Sequence, residues 1–293
     1  MRILVTGAAG RLGGRLISAL AANGHDVTGV DVVAASNCAA LDITDFAAVR
    51  AATADAAPEV VIHAAAWTDV DGCAREPEKA IAVNGLGTQN VALAAAAAGA
   101  AVLYISTNEV FDGRAGRPYR EYDLPNPPNP YGYSKWVGER ALAQVNPRHY
   151  IVRTAWLFAH GGRNFVQAIL SAAQAGKPLR VVTDEVANPT YNDDLANAIA
   201  ALVLTGRYGI YHFVNEGACS RWTLARYVLD RAGCADLPIE RISIKQWARP
   251  SRPPLYAGLE NLAGQQVGIA LRPWQQAVDA FLAREGLLKQ DGA

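Results

Sequence analysis

Apolar residues in the first half of the chain gather into short runs rich in Val and Ile, and a loop and a stretch of helical spacing follow each run. Ile3–Thr6, Val27–Val30, Val60–His63, Val102–Ser106 and Tyr150–Arg153 read as strands. After the first of them, Leu12, Leu16, Ala19 and Leu20 recur on one face of a helix over Leu12–Ala22, with Gly24 placed to end it. The strand runs are apolar throughout rather than alternating. That pattern predicts a parallel sheet covered by helices on both faces, a doubly wound α/β domain.

Beyond residue 157 the pattern loosens. Phe165–Ala175, Asp193–Leu204, Thr223–Ala232 and Trp274–Glu285 read as helices, and Leu179–Thr183 and Ile210–Val214 as strands. The prolines in Arg249-Pro250-Ser251-Arg252-Pro253-Pro254 exclude a helix and leave a loop carrying two guanidinium groups. There is no internal repeat and no long linker. The expected division is a nucleotide-binding domain over 1–157, which also receives parts of 178–205, and a smaller, interleaved C-terminal substrate lobe made mainly of 158–293.

A length of 293 residues with 51% apolar content is enough to fill such a core. Lys plus Arg (27) equals Asp plus Glu (27), so the net charge is zero. This argues against a general binder of nucleic acid or anionic membranes, either of which needs a basic stripe, and it fits a homodimer. The four cysteines are scattered without metal-ligand spacing, so reduced thiols and no metal are expected. The alanine-rich run Val91 to Ala98 is far shorter than the roughly 20 residues of a membrane span. Because Arg2–Val5 enters a strand at once, no leader is expected, and the reading is a cytoplasmic protein.

Candidate chemistry begins where the first strand ends, in Gly7-Ala8-Ala9-Gly10-Arg11-Leu12-Gly13. Glycines there let the backbone turn sharply and approach a pyrophosphate, and the N terminus of the following helix supplies free N–H groups. A tight strand–helix turn alone would look similar. The position ahead of repeated βα units favours a dinucleotide site. Asp31 closes the second strand, where a carboxylate accepts bonds from an adenosine ribose and repels a 2′-phosphate, favouring NADH over NADPH. Asp42 and Ile43 are candidate adenine contacts, and the small residues Ala64, Ala65 and Ala66 would let a cofactor backbone pass closely. His63 reads as a packing residue.

Tyr131-Gly132-Tyr133-Ser134-Lys135 carries the strongest signal. Tyr131 and Lys135 are four apart and share a helix face, whereas Tyr133 points elsewhere. An ammonium beside a phenol is expected to lower its pKa from about 10 towards the range of acid–base work. The lysine can also hold a nicotinamide ribose. Upstream, the hydroxyls of Ser106-Thr107 end a strand where a substrate carbonyl could bind.

With these motifs the chain resembles the extended short-chain dehydrogenase/reductases, which are Rossmann-type, and within them the dTDP-4-dehydrorhamnose reductase family. The likeness runs through the glycine turn, Ala64-Ala65-Ala66-Trp67-Thr68-Asp69-Val70-Asp71, Val83-Asn84 and Ser106-Thr107-Asn108-Glu109-Val110-Phe111-Asp112-Gly113. It continues in the Tyr131–Lys135 motif, Arg153-Thr154-Ala155-Trp156, Asn164-Phe165, Asn188-Pro189-Thr190, Asp194-Leu195-Ala196 and the basic proline loop. The resemblance implies NADH- or NADPH-dependent reduction of a nucleotide-linked 4-keto sugar. It implies a catalytic set of Thr107, Tyr131 and Lys135, a turn in which Arg11 and Leu12 face the cofactor, and a substrate side drawn from Thr68, Asn108, Glu109, Trp156 and Asn164. Either Arg249 or Arg252 would meet the nucleotide diphosphate. Asn108-Glu109 replaces the family's usual acidic-aromatic pair. Arg15 stands where some members carry an acid tied to a metal-bridged dimer, and Val32–Ala40 is longer than usual. Sugar-nucleotide epimerases and dehydratases share the tyrosine and lysine, and the regulatory subunit of methionine adenosyltransferase resembles the same family. Those are the competing readings.

Overall fold

The computed structural model describes residues 1–35, 38–162 and 164–289. Its main sheet has seven strands: β1 (Arg2–Thr6), β2 (Asp26–Asp31), β3 (Ala39–Ala40), β4 (Val60–His63), β5 (Ala101–Thr107), β6 (His149–Thr154) and β7 (Gly209–His212). They are ordered β7-β6-β5-β4-β1-β2-β3, and every neighbouring pair is parallel. From β1 the chain first builds outward through β2 and β3, then crosses back to lay β4 on the other side. Loops leaving β1 and β4 therefore diverge at their C-terminal ends and open a crevice there.

The helices packed on the sheet are α1 (Arg11–Ala22), α2 (Phe46–Ala56), α3 (Gly87–Ala97), α4 (Pro130–Val145) and α5 (Asn192–Leu202). Successive strand residues point to opposite faces. Ile3 and Val5 join Leu16 and Leu20 of α1 and Leu195 and Ile199 of α5 in one core. Leu4 turns to the other face and packs with Val49 of α2, Val91 and Ala95 of α3 and Leu142 of α4. Each large aliphatic side chain so enclosed stabilises the fold by about 1.5–3 kcal/mol. The Val91–Ala98 run thus lies largely in α3, against the sheet. Among the described residues no helix is long and apolar enough to cross a membrane.

One buried polar cluster fixes α4 relative to the strands that carry the site. Glu139 of α4 receives Nε and Nη2 of Arg153 at 2.9 and 2.7 Å and the Ser106 hydroxyl at 2.5 Å. Arg153 and Glu139 are 2% and 4% exposed, so losing either would strand a charge at a cost of about 3–5 kcal/mol.

Two departures from the sequence expectation bear on the architecture. The strand expected at Ile210–Val214 is β7, which pairs with β6 through Ile210↔Ile151. The main sheet therefore takes chain from well beyond residue 205, because Tyr211 and Phe213 fill the core under α5. The helix expected from Thr223 begins at Arg221, since the Ser220 hydroxyl caps it by accepting the Thr223 N–H. Around this helix, Phe165–Gln174 and Trp274–Arg284 enclose Leu224, Val228, Leu170 and Phe281 in a separate core beside the paired strands Leu179–Val182 and Ile239–Ile242.

Candidate active site

A cleft of about 960 Å³ lies over the C-terminal ends of β1, β4, β5 and β6. Gly7, Gly10, Arg11, Leu12 and Gly13 line one end. Gly7 has φ of +73°, and a Cβ there would fall 2.6 Å from the Ala65 nitrogen. A Cβ on Gly13 would fall 2.0 Å from the Gly7 carbonyl oxygen. The turn is thus packed backbone against backbone, with Ala64, Ala65 and Ala66 lining the cleft beside it. No side chain caps the N terminus of α1. Its first-turn amide dipoles suit a phosphate.

Asp31 is fixed at the same end. Its Oδ2 accepts the Ala9 N–H at 3.1 Å and its Oδ1 the Val33 N–H at 3.2 Å. Asp42 and Ile43 complete this side of the lining. These residues fit a dinucleotide: a pyrophosphate over the glycine turn and α1, a ribose at Asp31 and a base beside Ile43. Ser36 and Asn37, inside the long Val32–Ala40 segment, lie outside the described residues.

At the other end, Asn129 caps α4 with its Oδ1 accepting the Gly132 N–H at 2.8 Å, and Pro130 takes the first helical position. Tyr131 and Lys135 then line the cleft together with Thr107, while Tyr133 is exposed and packs on Trp136. Lys135 Nζ sits 4.1 Å from the centre of the Tyr104 ring. Burial pushes its pKa down to about 7, against the opposing pull of Glu139. The Thr107 hydroxyl accepts the Glu109 N–H at 3.2 Å.

The phenol of Tyr131 departs from the sequence expectation. Its pKa is raised, first by burial and then by the Glu109 carboxylate, with Thr107 opposing. Proximity to a lysine does not lower it, because desolvation penalises the phenolate and Lys135 is itself drawn towards neutrality. Tyr131 consequently keeps its proton near neutral pH. Glu109 is also raised by burial, although Asn129 Nδ2 donates to its Oε2 at 2.6 Å.

The remaining sequence candidates divide. Thr68, Asn108, Glu109 and Trp156 line the cleft. The Asn108 amide donates to the Ala257 carbonyl at 3.0 Å and carries no ionisable proton. Asn164, Arg249 and Arg252 do not line it. Asn164 caps the Phe165–Gln174 helix, accepting the Gln167 N–H and donating to the Ala159 carbonyl. Arg249 pairs with Asp71 at 3.0 Å, near enough to Glu109 for its charge to act there, whereas Arg252 is exposed. His63 is a buried packing residue between the Thr6 and Thr88 hydroxyls at 2.7 and 3.0 Å, and burial lowers its pKa to about 3. Arg15 pairs with Asp193 at 3.0 Å. Among the described residues no group of three or more His, Cys, Asp or Glu could hold a metal.

Two contributors carried no assigned role in the sequence. Asn84 lies in a π-helical turn, Ile81–Leu86. It hooks the Trp67 backbone to α4 by accepting the Trp67 N–H at 2.8 Å and donating to Ser134 Oγ at 3.0 Å. Arg221 places its guanidinium 3.5 Å from the Trp156 ring centre. Val83-Asn84 was visible as a motif, but a lone arginine after Cys219-Ser220 gave no signal.

A family model described as the RmlD substrate binding domain matches residues 1–286. A dTDP-4-dehydrorhamnose reductase of Streptomyces griseus is 40% identical, over 94% of this chain and 91% of that protein. A solved dTDP-4-dehydrorhamnose reductase of Clostridium acetobutylicum superposes with a TM-score of 0.92 at 34% identity, covering 98% of this chain and all of that one. The Bacillus anthracis enzyme of the same name, in complex with NADP, gives 0.91 at 32% identity, with 97% and 99% covered.

Proposed function

Because this chain belongs to the RmlD substrate-binding-domain family, we propose that it reduces the C4 ketone of a dTDP-linked 6-deoxy-4-keto sugar, taking hydride from NADH or NADPH and a proton from Tyr131. The observation that carries this is the shared lining: Thr107, Tyr131 and Lys135 border the same cleft as the glycine turn and Asp31. When bound, the reduced nicotinamide supplies the hydride. Thr107 offers its hydroxyl to the carbonyl oxygen. Tyr131, kept protonated by burial and by Glu109, donates to that oxygen as negative charge develops on it. Lys135, on the same helix face as Tyr131, would supply a donor for the ribose and, while protonated, positive charge to the cleft. Asn108 cannot serve as the acid a dehydratase would need. Of the two loop arginines, Arg249, paired with Asp71 and close enough to Glu109 for its charge to act there, is the better candidate to meet the diphosphate. Mixing the protein with reduced cofactor and such a sugar nucleotide should oxidise the cofactor, and no oxidation across a panel of 4-keto sugar nucleotides would sink the reading.

Cofactor choice gives a sharper expectation. The Asp31 carboxylate is held at the ribose end by two N–H bonds and would repel a 2′-phosphate. NADH should bind more tightly than NADPH by on the order of 10-fold, and Asp31→Ala should narrow that gap. Equal or tighter binding of NADPH by the unmodified protein, in a fluorescence titration, would remove this role from Asp31.

A pH profile tests Lys135. With its pKa lowered to about 7, the ammonium is present below that value and lost as pH rises through it. kcat/KM, which reports ionisations of the free enzyme, should therefore be level on the acid side and fall as pH passes about 7. In Lys135→Arg the falling limb should move to higher pH. An unmoved limb would assign the titration to another group.

A further inference from the structure

Trp156 follows β6 and forms part of the cleft wall. Its backbone has φ of +40°, a left-handed conformation that a bulky residue adopts only where its surroundings hold it. The Trp156 carbonyl accepts the Thr190 N–H at 3.2 Å. The indole itself is gripped by Arg221, which does not line the cleft. The guanidinium lies 3.5 Å from the Trp156 ring centre and 5.1 Å from that of Phe165. Both Nε and Nη2 of Arg221 reach Oε1 of Glu185, at 3.3 and 3.2 Å, and its N–H donates to the Glu185 carbonyl at 3.2 Å. Glu185 is buried, and the Ser220 cap starts the helix at Arg221. Anchors on both sides of the guanidinium thus leave it little freedom.

We infer that Arg221 is a positioning residue: stacked on Trp156 and fixed by Glu185, it holds that ring as a wall of the sugar pocket and so sets sugar-nucleotide affinity without touching the substrate. The pocket's occupant rests on the function proposed above; the grip on Trp156 does not. An ordinary ion pair at the cleft margin would stabilise the fold and leave the ring where it is.

Arg221→Met combined with Glu185→Gln removes the cation without leaving a buried carboxylate unpaired. A crystal structure of this double variant should show Trp156 out of the left-handed region or its indole displaced. KM for the sugar nucleotide should rise about 10-fold, the scale of a desolvated cation–π contact, with kcat within about twofold and NADH affinity unchanged. Introduced into Trp156→Leu, the same two changes should leave KM where that substitution alone puts it, because the ring they act through is gone. If the double variant does not fold, Arg221→Lys keeps the ion pair, loses the planar stack, and should move the same readouts less far. An unmoved Trp156, or KM effects that add in full across the cycle, would overturn the inference. Should the unmodified protein reduce no keto-sugar nucleotide, the proposed substrate falls, and the crystal structure of the variant still decides whether Arg221 holds Trp156.

Discussion

Replacing Tyr131 with phenylalanine should lower kcat roughly 10²–10⁴-fold, the usual range for removing a general acid, with the fold and NADH affinity retained. The ring and its packing at the start of α4 survive the change, and only the proton is lost. Reduction of a ketone leaves an alkoxide, a stronger base than phenolate, so a phenol with a raised pKa is still able to protonate it. Burial and Glu109, which raise that pKa, also ensure that the proton is present at the moment it is needed. Tyr133 lies two residues on, exposed and outside the cleft lining, so Tyr133→Phe should be nearly silent. Steady-state kinetics of the two variants side by side decide the matter. A Tyr131→Phe enzyme as fast as the unmodified one would transfer the proton donation to another group.

Gly13→Ala should cost both stability and cofactor binding. The added methyl would fall 2.0 Å from the Gly7 carbonyl oxygen and 2.9 Å from the Ala8 Cα, all backbone atoms with no flexible end to give way. The start of α1 must then shift, and overpacking of this kind costs about 1–3 kcal/mol or more. The same shift moves the amide dipoles away from the pyrophosphate, so NADH affinity should fall by on the order of 10-fold or more. Gly24 supplies the control. Its φ is +77° but nothing lies within 4 Å of its Cβ position, so Gly24→Ala should cost conformational strain and leave NADH affinity alone. Thermal unfolding and NADH titration of both variants separate close approach from backbone strain. Equal loss of NADH affinity in the two would contradict the packing argument.

The parts of this protein legible in its sequence are those whose physics is local. Val60–His63 was bounded correctly because a buried parallel strand is apolar from end to end, and the glycine turn was readable because only glycine permits both its φ and its contacts. Tyr131 and Lys135 could be paired from helical spacing alone. Properties set by assembly were not readable. The direction of the Tyr131 shift depends on burial and on Glu109, which Asn129 fastens beside it. Strand β7 joins the main sheet because Tyr211 and Phe213 complete a core built with β6 and α5, a pairing that nothing in Ile210–Val214 announces. Arg221 looks like any helix-start arginine until Trp156, Phe165 and Glu185 surround it. Asn164 and Arg252 show the converse. Their residue types suit a polar substrate, yet the fold uses one as a helix cap and leaves the other at the surface.

Hydride delivery to the C4 carbon of a dTDP-linked 4-keto sugar, within the cleft that Tyr131 lines, distinguishes this function from cofactor binding alone. NADH carrying deuterium at the transferring position of its nicotinamide tests it most directly, with the sugar product examined by NMR. Stoichiometric oxidation of NADH and a single deuterium at C4 are expected, with almost none of either in Tyr131→Phe. Oxidation without label at C4, or a 4-keto sugar nucleotide recovered unreduced while NADH stays bound, would contradict it.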